Sequence, residues 1–461
     1  MEDRKFLGTE KIGSLLFKLA LPTVVAQLVN MLYNIVDRIY IGHIEGTGAL
    51  ALTGVGVCLP LILIVSAFAA LISSGGGPRA SIMMGHNDYD KAEEVLGNSF
   101  IMQVMISVVL TLILLIFNED ILLLFGASEN TIGYATTYMD IYAVGTIFVQ
   151  LTLGMNSFIT AQGFAKTSML SVIIGAFINI VLDPVFIFVF DMGVAGAAIA
   201  TVISQAASTI WVLLFLTGRR TSLRIRRKYF RLDKGICISV LSLGLASFIM
   251  QASESVINIC FNSNLLRYGG DLAVGAMTIL SSVMQFAMLP LQGLGQGAQP
   301  IISYNYGAGL KSRVKAAFKY LLIVDFVFSM VLFLAVQFFP SVFAMMFTDD
   351  PELIDYASWA LRIFMGSTGI FGIQMACQAT FTSIGNAKSS SFIAILRKLI
   401  LLVPLIYIMP HLVSSDPTKG IYLAEPIADF ISVCCTIAIF SLQFRKALRQ
   451  MDERAEDLGK R

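Results

Sequence analysis

Residues 12–41 read IGSLLFKLALPTVVAQLVNMLYNIVDRIYI, a run whose only charges are Lys18, Asp37 and Arg38. Crossing about 30 Å of hydrocarbon takes roughly 20 apolar residues, so the run is long enough for a membrane span. A helix suits it, because inside lipid every backbone N–H and C=O must be satisfied within the segment. The preceding residues, MEDRKFLGTE, show no cleavable signal pattern, and the run is too long for a signal-peptide core.

Eleven further runs share this character. The spans are expected near 12–41, 48–73, 93–117, 131–161, 166–190, 193–217, 236–266, 272–303, 313–339, 355–384, 388–409 and 419–443. The whole chain agrees, with 56% hydrophobic and only 13% charged residues, where soluble domains carry about 25% charged. The fold class is therefore an all-α integral membrane protein of twelve transmembrane helices.

Basic residues set the expected orientation, since Lys and Arg concentrate in cytoplasmic loops. With a cytoplasmic N-terminus, the inner segments collect Arg4, Lys5, Lys11, Arg79, Lys91, Lys166, Lys311, Arg313, Lys315, Lys319 and Lys388. They also collect the run Arg219 to Lys234 and the tail Arg445 to Arg461, whereas the outer loops hold only Arg267 and Lys419. An even number of spans puts both termini in the cytoplasm of a multi-pass plasma-membrane protein.

An internal repeat divides the chain. Pro78-x-x-Ser81-x-x-x-Gly85 recurs as Pro300-x-x-Ser303-x-x-x-Gly307, and Gly163-x-Ala165-Lys166-x-Ser168 recurs as Gly385-x-Ala387-Lys388-x-Ser390, both at an offset of 222 residues. Six spans per half would relate two six-helix bundles by a pseudo-two-fold axis along the membrane normal. The expected organisation is a bundle over 1–217, a basic cytoplasmic linker over 218–235, a second bundle over 236–443 and a tail over 444–461. The glycine runs Ser73 to Pro78 and Gly293 to Gly297 occupy matched places and read as helix-bending and close-packing positions.

Several function classes are excluded. No GxxxxGK[ST] phosphate loop exists, so pumping has to draw on an ion gradient rather than a nucleotide. The net charge of +2 rests on bases at segment ends, which gives no footprint for nucleic acid. His43, His86 and His411 are scattered, unlike a zinc site. Cys58, Cys237, Cys260, Cys377, Cys434 and Cys435 all fall in apolar runs without a CxxC pair and read as buried free thiols.

Ionisable groups inside spans are costly and mark function. Gln27, Asn30, Asn34 and Asp37 fall on one face of span one, and Gln251, Glu254 and Asn258 repeat the pattern in span seven. Both stripes read as substrate-cavity candidates. Asn179 and Asp183 share a face of span five, ahead of Pro184, and span six offers Thr201. By helical rise, Asp37, Asp183 and Thr201 all lie roughly 25–28 Å from the expected cytoplasmic ends of their spans. Two carboxylates, an amide and a hydroxyl at one depth suit Na+ or a proton. In the second half, Arg397 and Lys398 lie within span eleven and Glu425 and Asp429 within span twelve. Opposite charges at such depths pair, so Arg397 with Asp429 and Glu425 reads as a structural ion pair. Asp140, Asp325 and Arg362 receive no role.

With these residues laid out, the chain resembles the multidrug and toxic compound extrusion (MATE) family of cation-coupled antiporters, nearest its MepA-like branch. The resemblance lies in LALPTVVAQLVNMLYNIVDRIYIG, GGPRASIMMG, NIVLDPVFIF, GVAGAAIATVIS, QPIISYNYGAG and IYLAEPIADFIS, spread over nearly the whole chain. It implies a cleft between the bundles that opens to either side in turn, with H+ or Na+ exchanged for amphipathic, often cationic compounds. It places the cation site at Asp37, Asn179, Asp183 and Thr201. Some members use an acid in span seven, matched by Glu254, with a second in span ten, where this chain has Gln374 and Gln378. The expected partners are small organic substrates and membrane lipids, with no nucleotide, no resident cofactor and a monomeric chain.

The rival reading is a lipid-linked oligosaccharide flippase of the same superfamily, which would favour a basic cavity for a pyrophosphate head. An intramembrane enzyme is a more distant alternative and lacks a paired catalytic motif at a water interface.

Overall fold

The computed structural model describes residues 6–413 and 415–459, with side chains up to residue 453. Arg4, Lys5, Lys460 and Arg461, counted above among the inner charges, lie outside the described residues, as does the Arg454 side chain.

A short helix, Phe6–Thr9, leads into α1 (Ile12–Gly42), α2 (Gly48–Gly85), α3 (Tyr89–Leu124), α4 (Ile132–Ala161), α5 (Ala165–Pro184) and α6 (Gly193–Thr217). A π-helical turn, Val185–Val189, extends α5. The second half begins with α7 (Lys234–Gly307), followed by α8 (Lys311–Phe338), the pair α9 (Pro351–Phe364) and α10 (Thr368–Ser383), α11 (Ala387–Ile395), α12 (Val403–Leu412) and α13 (Pro417–Gly459). The π-helix Leu396–Leu402 joins α11 to α12 without a break. Among the described residues, ten helices are long and apolar enough to cross a membrane, and α9 with α10, bent by 50°, meet the same measure when taken together. The protein is an all-helical membrane protein.

Spans seven and eight, expected as separate helices, are the two arms of α7, which meet at a kink. Its 74 residues are interrupted only at Gly270, with φ 66° and ψ −162°. At about 1.5 Å per residue, α7 is far longer than one bilayer. The polar stretch Arg267 to Asp271 lowers hydropathy where the first arm ends, and glycine readily adopts the left-handed φ that redirects the chain into the second. The Ser73–Pro78 run, expected as a bend or a packing site, lies in an unbroken helix with Gly75, Gly76 and Gly77 buried. Packing is its role.

That packing is reciprocal between the halves. A Cβ added at Gly85 would clash with the Tyr304 carbonyl, and one at Gly307 with the Ile82 carbonyl. Each contact is the image of the other at the repeat offset. Gly75 likewise lies against Val240, and Gly244 against Leu71. Backbones this close gain van der Waals contact and Cα–H···O contacts, which drive helix association where no hydrophobic force exists. Thr23 adds a hydrogen bond from its hydroxyl to the Gly293 carbonyl at 2.6 Å.

The buried apolar residues form three clusters. One runs through both halves and includes Leu15, Leu96, Phe158, Leu223, Val240, Ile301, Phe381 and Phe440. The other two are confined to single halves, around Tyr138 and Ala197 in the first and Phe261 and Tyr422 in the second. The halves thus share a core at the end that carries residues 218–233, and towards the other end each has a core of its own. Not every thiol is buried as expected. Cys434 is exposed and Cys237 and Cys435 are half-buried, because an apolar run does not distinguish a lipid-facing side from a core-facing one.

Residues 218–233 fold onto the first half. The Gln162 side-chain carbonyl accepts from the Thr221 hydroxyl, Ser222 N and Leu223 N at 2.7–2.9 Å. Glu93 accepts from Arg224 N at 3.2 Å and pairs with Arg226 at 2.9 Å, and Asn98 accepts from Asp233 N at 2.7 Å. Leu223 is fully buried beneath them.

Candidate cation site

In α5 the chain sets Asn179 and Asp183 one turn apart, so both point to one side. Pro184 and the π-helical turn that follows widen the helix and free backbone carbonyls, a feature frequent at functional sites. Opposite lie Asp37 of α1 and Thr201 of α6. The Asn179 amide nitrogen donates to Asp183 Oδ1 at 3.1 Å and to Thr201 Oγ1 at 3.4 Å. The Asp37 and Asp183 carboxyls meet directly. All four residues expected to converge do so, and all are buried.

Asp37 Oδ1, Asp183 Oδ2 and Asn179 Oδ1 are buried with no hydrogen-bond partner. Two carboxyls in contact repel unless a proton or a cation stands between them, and a buried charge without a partner is costly. The unused oxygens belong to carboxylate and amide groups, hard donors suited to an alkali cation. Among the described residues, no group of three or more His, Cys, Asp or Glu could hold a metal ion. The site fits one monovalent charge.

Sequence reasoning missed the aromatic wall. Tyr33 approaches Asp37, Asn34 and Gln205, and the Tyr138 hydroxyl approaches Thr201. Tyr33 stands four residues before Asp37, so helical spacing carried that signal; Tyr138 lies in another span and left none.

The cavity candidates divide. Gln27 donates to Gln296 Oε1 at 3.1 Å, linking the two halves. Asn30 and Asn34 are exposed, although Asn34 donates back to the Asn30 carbonyl. Gln251 is half-buried and Asn258 exposed. Glu254, expected as a free cavity acid, is held by Lys398 at 2.6 Å, with its side chain still 45% exposed. The π-helical turn places Lys398 beside Arg397, whose Nε donates to Asp429 Oδ1 at 2.5 Å and whose Nη2 donates to Glu425 Oε1 at 3.0 Å. The structure therefore gives Arg397 both acidic partners named from the sequence. It also ties in Glu254, 144 residues from Lys398, which no spacing could reveal.

The MatE family model matches this chain twice, over residues 22–185 and 246–408, once in each half. The chain is 25% identical, over 96% of its length and 97% of the relative's, to the multidrug export protein MepA of Staphylococcus haemolyticus. To MepA of Staphylococcus aureus strain MSSA476 it is 26% identical, over 89% of this chain and 90% of the relative. A crystal structure of MATE in the bent conformation superposes with a TM-score of 0.91 at 23% identity, covering 98% of this chain and 99% of that one. Matches in both halves, over a fold shared end to end, show that the chain belongs to the MatE family.

Proposed function

We propose that this protein is a secondary transporter that exports small, amphipathic, often cationic organic compounds in exchange for H+ or Na+. The observation that carries the reading is the buried contact of Asp37 with Asp183, whose unused oxygens can hold one monovalent charge. The export role and substrate class follow the relatives named as multidrug export proteins. In this reading the chain crosses the plasma membrane twelve times in two six-helix bundles, α7 counting as two spans divided at Gly270. Both termini lie in the cytoplasm, the chain works as a monomer among lipids, and the cleft opens to each side in turn. A flippase for a pyrophosphate-linked lipid fits less well, because the buried ionisable pair of the first half, Asp37 with Asp183, is acidic.

The test is efflux of a fluorescent organic cation from vesicles under imposed Na+ and pH gradients. Efflux should follow one of the two gradients and stop when it collapses. Efflux indifferent to both, or driven by a nucleotide, would overturn the proposal.

A further inference from the structure

The charged cluster of the second half does not balance. Glu254, Glu425 and Asp429 supply three carboxylates, while Arg397 and Lys398 supply two bases. Glu254 comes from α7, the bases from the π-helix Leu396–Leu402, and the other acids from α13. The neighbouring α9–α10 turn and α10 add no charge, only Ser367, Phe371, Gln374 and Gln378. A buried excess charge in a medium of low dielectric binds a counter-charge.

The partners identify the acid in excess. Glu254 has Lys398 to itself and remains partly exposed. Asp429 has the Arg397 Nε at 2.5 Å and the Ser367 hydroxyl at 3.4 Å. Glu425 has only a share of Arg397, at 3.0 Å, and its side chain is 6% exposed. A second observation points to a proton-donating ligand. Gln374, 4% exposed, turns a carbonyl oxygen without a partner into a cavity of about 10 Å³ shared with Gln378, Arg397 and Lys398. That is close to the least space a single water needs.

We propose that Glu425 holds one exchangeable proton, so that the second half carries its own proton-binding site. The proton comes from water and bonds to the Glu425 carboxylate; no other bond changes. This site stands apart from Asp37 and Asp183 and does not depend on transport.

The test is infrared spectroscopy of the full chain in lipid nanodiscs, following the carboxylic-acid C=O band across a pH series. Asp37→Asn, Asp183→Asn and Asp325→Asn together remove the other buried acids that no ion pair holds. The band should persist at neutral pH in this triple variant, disappear as the pH rises, and be lost throughout when Glu425→Gln is added. Lys398→Met, which removes a base without touching Glu425, should shift its loss to higher pH in a monodisperse protein. No band in the triple variant, or a band removed by Asp429→Asn and untouched by Glu425→Gln, would overturn the proposal. Because the readout needs no substrate, failure of the export reading would leave it intact, and its failure would leave gradient-driven efflux unaffected.

Discussion

The two halves share a scaffold and differ in chemistry. Gly85 against Tyr304 mirrors Gly307 against Ile82, and polar stripes recur on α1 and α7. Yet the first half buries Asp37 and Asp183 with no base in the cluster, and the second buries its acids beside Arg397 and Lys398. The repeat positions of Asn179 and Asp183, at the offset of 222, are Leu401 and Leu405. Duplication therefore preserved the residues that let helices meet and released those that meet a ligand. An acid pair without a base must borrow its counter-charge from solution, whereas a cluster with tethered bases carries most of its own.

The sharpest way to break this contrast is at the acid pair. Asp37→Asn and Asp183→Asn should each lower gradient-driven efflux at least tenfold while the protein stays monodisperse. Efflux like that of the parent in both variants would show that the borrowed charge is not used.

Next comes the tethered base. Arg397→Ala leaves buried carboxylates without their cation, a loss worth about 3–5 kcal/mol when one partner of a buried pair is removed. Thermal unfolding followed by fluorescence-detected size exclusion should show a large fall in Tm, partly restored by adding Asp429→Asn. If the double variant is as poor as the two single losses combined, the pair is not coupled, and the halves differ less than their charges suggest.

The shared scaffold offers a smaller and symmetric effect. Gly85→Ala and Gly307→Ala each drive a methyl into a facing backbone, at a cost of about 1–3 kcal/mol for an overpacked site. Their Tm losses should match, since each contact is the image of the other. Gly77→Ala, whose added Cβ would meet Ser157 no closer than 3.5 Å, serves as the tolerated control. Clearly unequal losses at Gly85 and Gly307 would break the symmetry.

The smallest effect is expected at Glu254. Glu254→Gln keeps the shape but weakens the hold on Lys398, and should lower apparent affinity for an organic cation a few-fold. Ion dependence should change little. A complete loss of ion coupling with substrate binding intact would move the coupling site into the second half.

How much was legible in the sequence depended on the kind of signal. Span six is expected at 193–217 and the helix is Gly193–Thr217, because glycine marks both ends: Gly193 with φ 53° and Gly218 just beyond. Asp37, Asn179, Asp183 and Thr201 could be brought together by counting helical rise, since three nearly straight helices preserve depth. The break between spans seven and eight was legible too, because the polar stretch Arg267 to Asp271 contains Gly270, where the helix is interrupted. The Lys398–Glu254 pair was hidden. Depth places charges along a span, but rotation about the helix axis decides which neighbour they face, and the π-helical turn resets that rotation at Leu396.

The attachment of residues 218–233 has a mechanical consequence. A free tether of that length would let its ends wander by tens of ångströms and would transmit no direction. Here Gln162, Glu93 and Asn98 fasten it from Thr221 to Asp233. The first half, strap included, is thus one lever whose tip is the start of α7. In the proposed exchange, rotation of one half against the other would concentrate at a pivot beside Asp233 and Lys234, and a change of angle there would swing the arm of α7 up to Gly270.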